Sequence, residues 1–241
     1  MEIFFDEIER EPYEEINSIY QYIENLSSGS LGSVMKAINR NTKEEVGIKI
    51  INILSSNINT SRLKNEILIL KDLSHPNIVK IYDYIEKNLK VYIIMEELKG
   101  GTLREYINLH INENIKEEES SLIIKNILSA ISYLHSRNIC HRDIKPENIM
   151  FKNNLDLNSL KLIDFGLSEN NFDFYGEQLY CGTIIYMAPE QLNNISYSKL
   201  TDIWSIGIIL YELLNKGKHP FYIKGITKTK KDLINNINKN K

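Results

Sequence analysis

Short hydrophobic segments rich in β-branched and aromatic residues dominate the first 95 or so residues, with polar stretches between them. Segments of this kind favour β-strands. The predicted strands are 20–26, 33–39, 45–51, 78–85 and 89–96. Between the third and fourth, Leu63, Ile67 and Leu70 recur at helical spacing. They predict one helix over residues 59–73, with Thr60 or Ser61 as its N-cap.

After Gly100-Gly101 the hydrophobic spacing becomes helical, and helices are predicted over residues 103–109, 120–136 and 199–214. This order predicts an α+β fold in which a small sheet-rich lobe precedes a mainly helical one. We therefore expect an acidic N-terminal extension, a sheet lobe, a hinge, a helical lobe and a tail. Their predicted ranges are 1–19, 20–95, 96–101, 102–222 and 223–241.

Composition narrows the class of protein. The chain has 241 residues, of which 42% are hydrophobic, enough to bury a core in one large domain or in two lobes. A formal net charge of −3 argues against a dedicated nucleic-acid surface. Two cysteines provide no disulfide framework and fit a reducing compartment.

No targeting or membrane-spanning segment is predicted. The first 15 residues carry seven acidic side chains against one arginine, the opposite of a signal or transit peptide. The longest apolar run, at 206–214, is interrupted by Glu212 and is too short to span a bilayer. We expect a protein of the cytoplasm or nucleus, without a membrane or nucleic-acid partner.

The candidate chemistry is concentrated in residues 140–148, with the sequence Cys-His-Arg-Asp-Ile-Lys-Pro-Glu-Asn. Asp143 offers a carboxylate that can orient a hydroxyl and take its proton, and Lys145 offers a cation that can neutralise phosphate charge. Asn148 and Asp164, sixteen residues apart, offer the oxygen ligands that Mg²⁺ prefers. These residue types at this spacing indicate phosphoryl transfer.

This stretch, together with Asp164-Phe165-Gly166, resembles the catalytic loop and metal-binding segment of eukaryotic-type serine/threonine protein kinases. Over residues 20–222 the resemblance implies a two-lobed kinase fold, with an antiparallel sheet and one helix in the N-lobe and a helical C-lobe. It also implies transfer of the γ-phosphate of Mg-ATP to Ser/Thr hydroxyls of a protein substrate. Asp143 is implied as base, Lys145 as the γ-phosphate contact, and Asn148 with Asp164 as Mg²⁺ ligands.

Further residue roles follow from the same resemblance. Thr183, in the segment ending Ala-Pro-Glu, is implied as a contact to the base and to Lys145, and His141 and Asp202 are implied as structural residues. Lys49, in a Val-Gly-Ile-Lys strand, is implied as the α/β-phosphate contact, paired with Glu66. The remaining implied ATP contacts are Leu26, Ser27, Gly29, Gly32, Val34, Gly47, Met95, Glu96, Leu98 and Met150.

Several positions depart from the family pattern. Ser27 replaces the first glycine of the Gly-rich loop, so altered ATP affinity is expected. Thr102 stands where basophilic relatives carry an acidic residue, which leaves Glu147 as the candidate contact for a basic substrate residue. Some features resemble the calcium/calmodulin-dependent group. By comparison with the family pattern, a helical lobe that is C-terminally short and lacks its last helices is expected. Residues 223–241, rich in Lys and Asn, are expected to form a solvated, partly disordered tail.

Two alternatives remain from the sequence. One is a pseudokinase, an ATP-binding or scaffolding module with little turnover, which Ser27 and the short helical lobe favour. The other is a small-molecule phosphotransferase that shares only the upper lobe. Thr183 and the Ala-Pro-Glu segment argue against the second, because they resemble a platform for peptide substrates.

Overall fold

Two compact units make up the chain. A computed structural model describes residues 16–29, 32–53, 60–154, 156–164, 184–193 and 198–239. The first unit, here the sheet unit, contains the residues up to 74 together with 79–98. The second, the helical unit, contains residues 75–78 and those from 99 onward.

The sheet unit contains a five-stranded antiparallel sheet with the strand order β1-β2-β3-β5-β4 and a helix, α1, that contacts β4. The elements are β1 Tyr20–Gly29, β2 Gly32–Asn39, β3 Glu45–Asn52, α1 Thr60–Lys71, β4 Ile81–Lys87 and β5 Lys90–Glu96. Val46 and Ile48 on β3 alternate onto one buried face, as do Tyr92 and Ile94 on β5. This two-residue period is the reason that the segments form strands.

The fourth strand begins three residues later than predicted. Ile78 forms an isolated bridge with Leu162, and Asn77 Nδ2 donates to the backbone oxygen of Leu160 at 2.9 Å. These bonds hold residues 75–78 in the helical unit, so β4 begins only at Ile81. Hydrophobicity alone could not separate Ile78 from the strand that follows it.

The helical unit is built around two packed helices, α3 and α5, with a two-stranded ribbon, β6-β7. Its elements are α2 Leu103–Leu109, α3 Glu117–Ser136, β6 Ile149–Phe151, β7 Leu160–Leu162, α4 Pro189–Leu192, α5 Leu200–Leu214 and α6 Lys230–Lys239. Ile123, Ile127 and Leu134 of α3 are buried at helical spacing, as are Ile209 and Leu213 of α5. None of the helices in the described part of the chain combines the length and apolar character needed to cross a membrane.

Helix α2 begins at Leu103 because Thr102 caps it. The Thr102 hydroxyl accepts from the backbone N–H of Glu105 at 3.1 Å, and the Glu105 carboxylate accepts from the backbone N–H of Thr102 at 2.6 Å. These reciprocal bonds satisfy two amide groups that a helix start leaves unpaired. Thr102 therefore has a structural role as the N-cap of α2.

The expectation of a solvated tail over residues 223–241 is wrong for most of that segment. Helix α6 buries Leu233 and Ile237 against Ile184, Met187 and Leu192. Its start is fixed by Thr229 and Asp232, since the Thr229 hydroxyl accepts from the Asp232 N–H at 3.1 Å and the Asp232 carboxylate accepts from the Thr229 N–H at 3.0 Å. This helix was not predicted because the segment is rich in Lys and Asn, although Leu233 and Ile237 are four residues apart, as on one face of a helix.

Candidate active site

The loop between α3 and β6 gathers the carboxylate, ammonium and amide predicted for phosphotransfer. Lys145 Nζ and Asn148 Nδ2 each lie 2.8 Å from Asp143 Oδ2. Asn148 Nδ2 also donates to the backbone oxygen of Asp143 at 2.8 Å. The 3₁₀ turn Pro146–Asn148 brings the chain back toward Asp143 and makes these contacts possible. Three predicted site residues therefore form one cluster.

The Asp143 carboxylate is oriented and still accessible. The bonds from Lys145 and Asn148 both end on Oδ2, which leaves Oδ1 for a further donor. The Asp143 side chain is 25% exposed. A hydroxyl arriving from solvent can thus reach a carboxylate whose rotamer is already held, as a positioned general base requires.

Asp202 on α5 holds the backbone immediately before Asp143. Its Oδ2 accepts from the backbone N–H of His141 at 3.0 Å and from His135 Nε2 at 2.7 Å. Its Oδ1 accepts from the backbone N–H of Arg142 at 2.9 Å. Arg142 has a φ of 68°, a left-handed conformation that costs energy in a residue with a Cβ. The Asp202 carboxylate therefore secures a strained backbone beside the candidate base.

His141 has the surroundings of a structural residue. Its side chain is completely buried, and Nε2 lies 3.1 Å from the backbone oxygen of Ile163. Burial lowers the pKa of His141, so the ring is neutral near pH 7 and donates from Nε2. The imidazole thereby connects the catalytic loop to the residue before Asp164.

Asn148 and Asp164, the two residues predicted to hold a metal, are connected through the backbone of Ile163. The backbone N–H of Ile163 donates to the backbone oxygen of Asn148 at 3.0 Å, which places the neighbouring Asp164 beside the turn. Asn148 uses its amide nitrogen on Asp143, so its amide oxygen remains for a cation. A carboxylate with an amide oxygen fits a hard ion such as Mg²⁺.

The predicted nucleotide contacts of the sheet unit lie on β1, β2, β3 and β5. Gly29 and Gly32 pair at the end of the first hairpin, and Gly32 has a φ of 145°. A Cβ on Gly32 would lie 1.8 Å from the backbone oxygen of Ile50, so only glycine fits there. Lys49 pairs with Val34 across β2-β3 and with Ile93 across β3-β5.

The other predicted contacts are divided between the two units. In the sheet unit, Gly47 pairs with Met95, and a Cβ on Gly47 would lie 3.4 Å from Met95 Cγ, a van der Waals contact. Leu26 lies at an irregularity in the β1-β2 pairing, between the paired residues Asn25 and Ser27. The predicted contacts that remain are Glu96 and Leu98 in the sheet unit and Met150 on β6 in the helical unit.

Some predicted residues cannot be placed. Thr183, Phe165 and Gly166 lie outside the described residues. Glu66 belongs to α1, but its side chain also lies outside the part of the structure that is described. The proposed pairing of Lys49 with Glu66 therefore stays a prediction.

A buried polar network next to the catalytic loop was missed in the sequence. Arg104 Nε donates to Glu147 Oε1 at 2.8 Å. Arg104 Nη2 donates to Glu212 Oε2 at 3.2 Å and also to the Tyr186 hydroxyl. The Tyr186 hydroxyl in turn donates to Glu212 at 2.9 Å. The four residues come from four distant segments, and an arginine on a helix ordinarily predicts only a solvated charge. Glu212, interrupting the longest apolar run, was the single available signal.

His219 occupies a partly buried position in which its hydrogen bonds require a neutral ring. Its Nε2 donates to the backbone oxygen of Ile185 at 2.9 Å. Its Nδ1 accepts from the backbone N–H groups of Phe221 and Tyr222, at 3.1 and 2.9 Å. Burial is the main cause that lowers the pKa of His219 to about 4, with the cationic Arg104 acting in the same direction.

We therefore expect His219 to make the folded state less stable as the pH falls. The unfolded histidine binds a proton below a pKa of about 6.5, whereas the folded one resists protonation until about 4. Above pH 6.5, His219 leaves the free energy of unfolding unchanged. As the pH falls from 6.5 to 4, His219 lowers the free energy of unfolding by roughly 3 kcal/mol in total. Urea unfolding from pH 7.5 to 4.5 measures it.

The matched variant for this measurement is His219→Asn, whose amide oxygen can replace Nδ1 as acceptor but does not titrate. Its free energy of unfolding should be lower at pH 7.5 and should fall less steeply with acid than that of the wild type. His110→Asn, which changes another histidine of the helical unit, should retain the wild-type slope. Equal slopes for the wild type and His219→Asn would contradict the assignment.

Comparison with known proteins agrees with this geometry. The protein kinase domain family matches residues 20–241. Calcium-dependent protein kinase 5 of Plasmodium berghei is 43% identical over 81% of this chain and 34% of its own length. Myosin light chain kinase A of Dictyostelium discoideum is 38% identical, covering 86% of this chain and 70% of its own. Calcium/calmodulin-dependent protein kinase type 1B of Rattus norvegicus is 37% identical, covering 87% and 60%.

The chain belongs to the protein kinase family. Its relatives are serine/threonine protein kinases, among them calcium-dependent and calmodulin-dependent ones, so the resemblance noted in the catalytic loop is confirmed. The α+β class, with an antiparallel sheet unit and a helical unit, is confirmed as well. The chain spans about a third of the length of the Plasmodium relatives that it matches.

Proposed function

We propose that this chain transfers the γ-phosphoryl group of Mg-ATP to serine or threonine hydroxyls of protein substrates. The observation that carries the proposal is the Asp143 carboxylate, which two neighbours hold at Oδ2 while Oδ1 remains for a substrate hydroxyl. The relatives named as protein kinases support the reaction class. The expected setting is the cytoplasm or the nucleus.

The proposed mechanism begins with the acceptor hydroxyl. Asp143 orients it and takes its proton as the oxygen attacks the γ-phosphorus, and the bond from that phosphorus to the bridging oxygen breaks so that ADP leaves. Lys145, held 2.8 Å from Asp143, brings positive charge to the same place. Asn148 and Asp164 would hold Mg²⁺, which supplies positive charge for the phosphate oxygens. In the sheet unit, Lys49, Gly29 and Gly32 are the proposed phosphate contacts, because backbone N–H groups of a glycine-rich turn can bind an anion.

The test is transfer of labelled phosphate from ATP to a generic protein substrate, with and without EDTA, followed by phosphoamino-acid analysis. Phosphoserine or phosphothreonine that disappears with EDTA is expected. A folded protein that binds ATP without transferring phosphate would replace this proposal by the pseudokinase alternative. Transfer only to small molecules would instead place the chain among small-molecule phosphotransferases.

A further inference from the structure

An open cavity of about 620 Å³ lies in the helical unit next to the catalytic loop. Its charged and polar lining includes Arg104, Glu147, Glu212, Lys218, His219 and Lys224. Glu147 is four residues from Asp143, so their Cα atoms are at most about 15 Å apart. An extended peptide advances about 3.4 Å per residue, so a substrate whose hydroxyl meets Asp143 can reach the cavity within about five residues.

The two carboxylates of this cavity already bind a cation from the chain itself. Arg104 donates one bond to Glu147 and one to Glu212, and its side chain is 23% exposed. Glu212 is 3% exposed, and the Tyr186 hydroxyl donates to both of its oxygens. Burial acts to lower the pKa of Arg104, but Tyr186 and Glu212 outweigh it and raise the pKa overall, so the guanidinium stays charged.

The remaining lining adds no negative charge. Lys218 and Lys224 are exposed, and burial, with the nearby Arg104, keeps His219 neutral by lowering its pKa. Glu147 Oε2 is buried and has no hydrogen-bond partner among the described residues. A second cation that bound this oxygen would lie next to Arg104, which already binds the other oxygen of the Glu147 carboxylate. Like charges this close disfavour association.

We infer that Arg104 is a specificity-determining residue that excludes basic substrate side chains from this cavity and leaves it to uncharged ones. The inference rests on the proposed function, because it concerns the protein substrate of that reaction. The sequence pattern had left Glu147 as a contact for a basic residue. In the structure, Arg104 occupies the place that such a residue would take.

The experiment uses serine peptides in which each position within five residues of the acceptor carries Arg or Gln in turn. The quantity measured is the ratio of kcat/KM for the Arg peptide to that for the Gln peptide. For the wild type, at least one position should show a ratio of about 0.1. At that same position Arg104→Gln should raise the ratio to 1 or above, since Glu147 and Glu212 then lack their cation.

Arg104→Lys is the matched control, because it keeps the charge and loses the planar fork. It should discriminate against the Arg peptide nearly as well as the wild type. A purely structural Arg104 would lower kcat/KM for both peptides alike and leave their ratio unchanged in both variants. That result would overturn the inference, as would a wild-type preference for Arg that Glu147→Gln abolishes.

Two further measures keep the test decisive. Arg104→Gln leaves the buried Glu212 without its cation, and this variant could fail to fold. In that case the double variant Arg104→Gln/Glu212→Gln removes the buried charge. It should still lose the discrimination against the Arg peptide, because Glu147 then lacks its arginine. Activity on the Gln peptide reports phosphotransfer itself. Its absence in the wild type would count against the proposed function, whereas an unchanged ratio in an active enzyme counts only against the role of Arg104.

Discussion

Replacing Asp143 by Asn should lower phosphotransfer by roughly 10²–10⁴-fold in an enzyme that remains folded. The amide can still lie beside Lys145 and Asn148, because its oxygen can accept the two 2.8 Å bonds that now end on Oδ2. It has no basic oxygen to take the proton of the attacking hydroxyl. The loss should therefore fall on kcat, with the free energy of unfolding close to that of the wild type.

The measurement is the initial rate of labelled phosphate transfer from ATP, with urea unfolding of the same samples. Asp83→Asn is the matched control, since the Asp83 side chain is 57% exposed and forms an ion pair with Lys71 in the sheet unit. It should keep activity within about twofold, because surface ion pairs contribute little. An Asp143→Asn enzyme as active as the Asp83→Asn enzyme would remove Asp143 from the role of base.

Replacing Asp202 by Ala should have the largest effect on stability, about 3–5 kcal/mol. The Asp202 side chain is 1% exposed and accepts from two backbone N–H groups and from His135. Without it, these donors lose their acceptor, the His141 N–H among them stays buried, and Arg142 loses the bond that holds its φ of 68°. Because Arg142 directly precedes Asp143, activity should fall together with stability.

Urea unfolding and the phosphotransfer rate are both needed for this variant. Asp156→Ala is the control, since that carboxylate caps an exposed 3₁₀ turn by accepting from the Asn158 N–H at 3.0 Å. Its loss should cost at most about 1 kcal/mol and leave the rate unchanged. A stable Asp202→Ala protein with a full rate would show that the loop keeps its conformation without this anchor.

Local patterns predicted most of the elements, and the misses have physical reasons. Residues 103–109 were predicted as helix and are observed as Leu103–Leu109, since the Thr102–Glu105 cap and the apolar spacing agree. Residue 78 was assigned to a strand, but its partner is Leu162, more than eighty residues away. Helix α6 was missed because a composition rich in Lys and Asn outweighed Leu233 and Ile237, whose burial depends on α4.

Some residues of the candidate site were also predictable from local sequence, and others were not. Asp143, Lys145 and Asn148 were predictable because six consecutive positions, 143–148, suffice to bring them together. Asp202 was implied only through family resemblance, since no local rule connects it with residues sixty positions earlier. Thr183 and the side chain of Glu66 remain predictions.

By itself, the sequence indicated the protein family, the five strands and the helix of the sheet unit, and the cluster around Asp143, because each depends on residues close along the chain. Tertiary structure alone decided which charges meet. Arg104 joins Glu147, Tyr186 and Glu212 across separations of 43, 82 and 108 residues. Whether a carboxylate there is free for a substrate or already bound depends on packing between helices, and no local pattern encodes that packing.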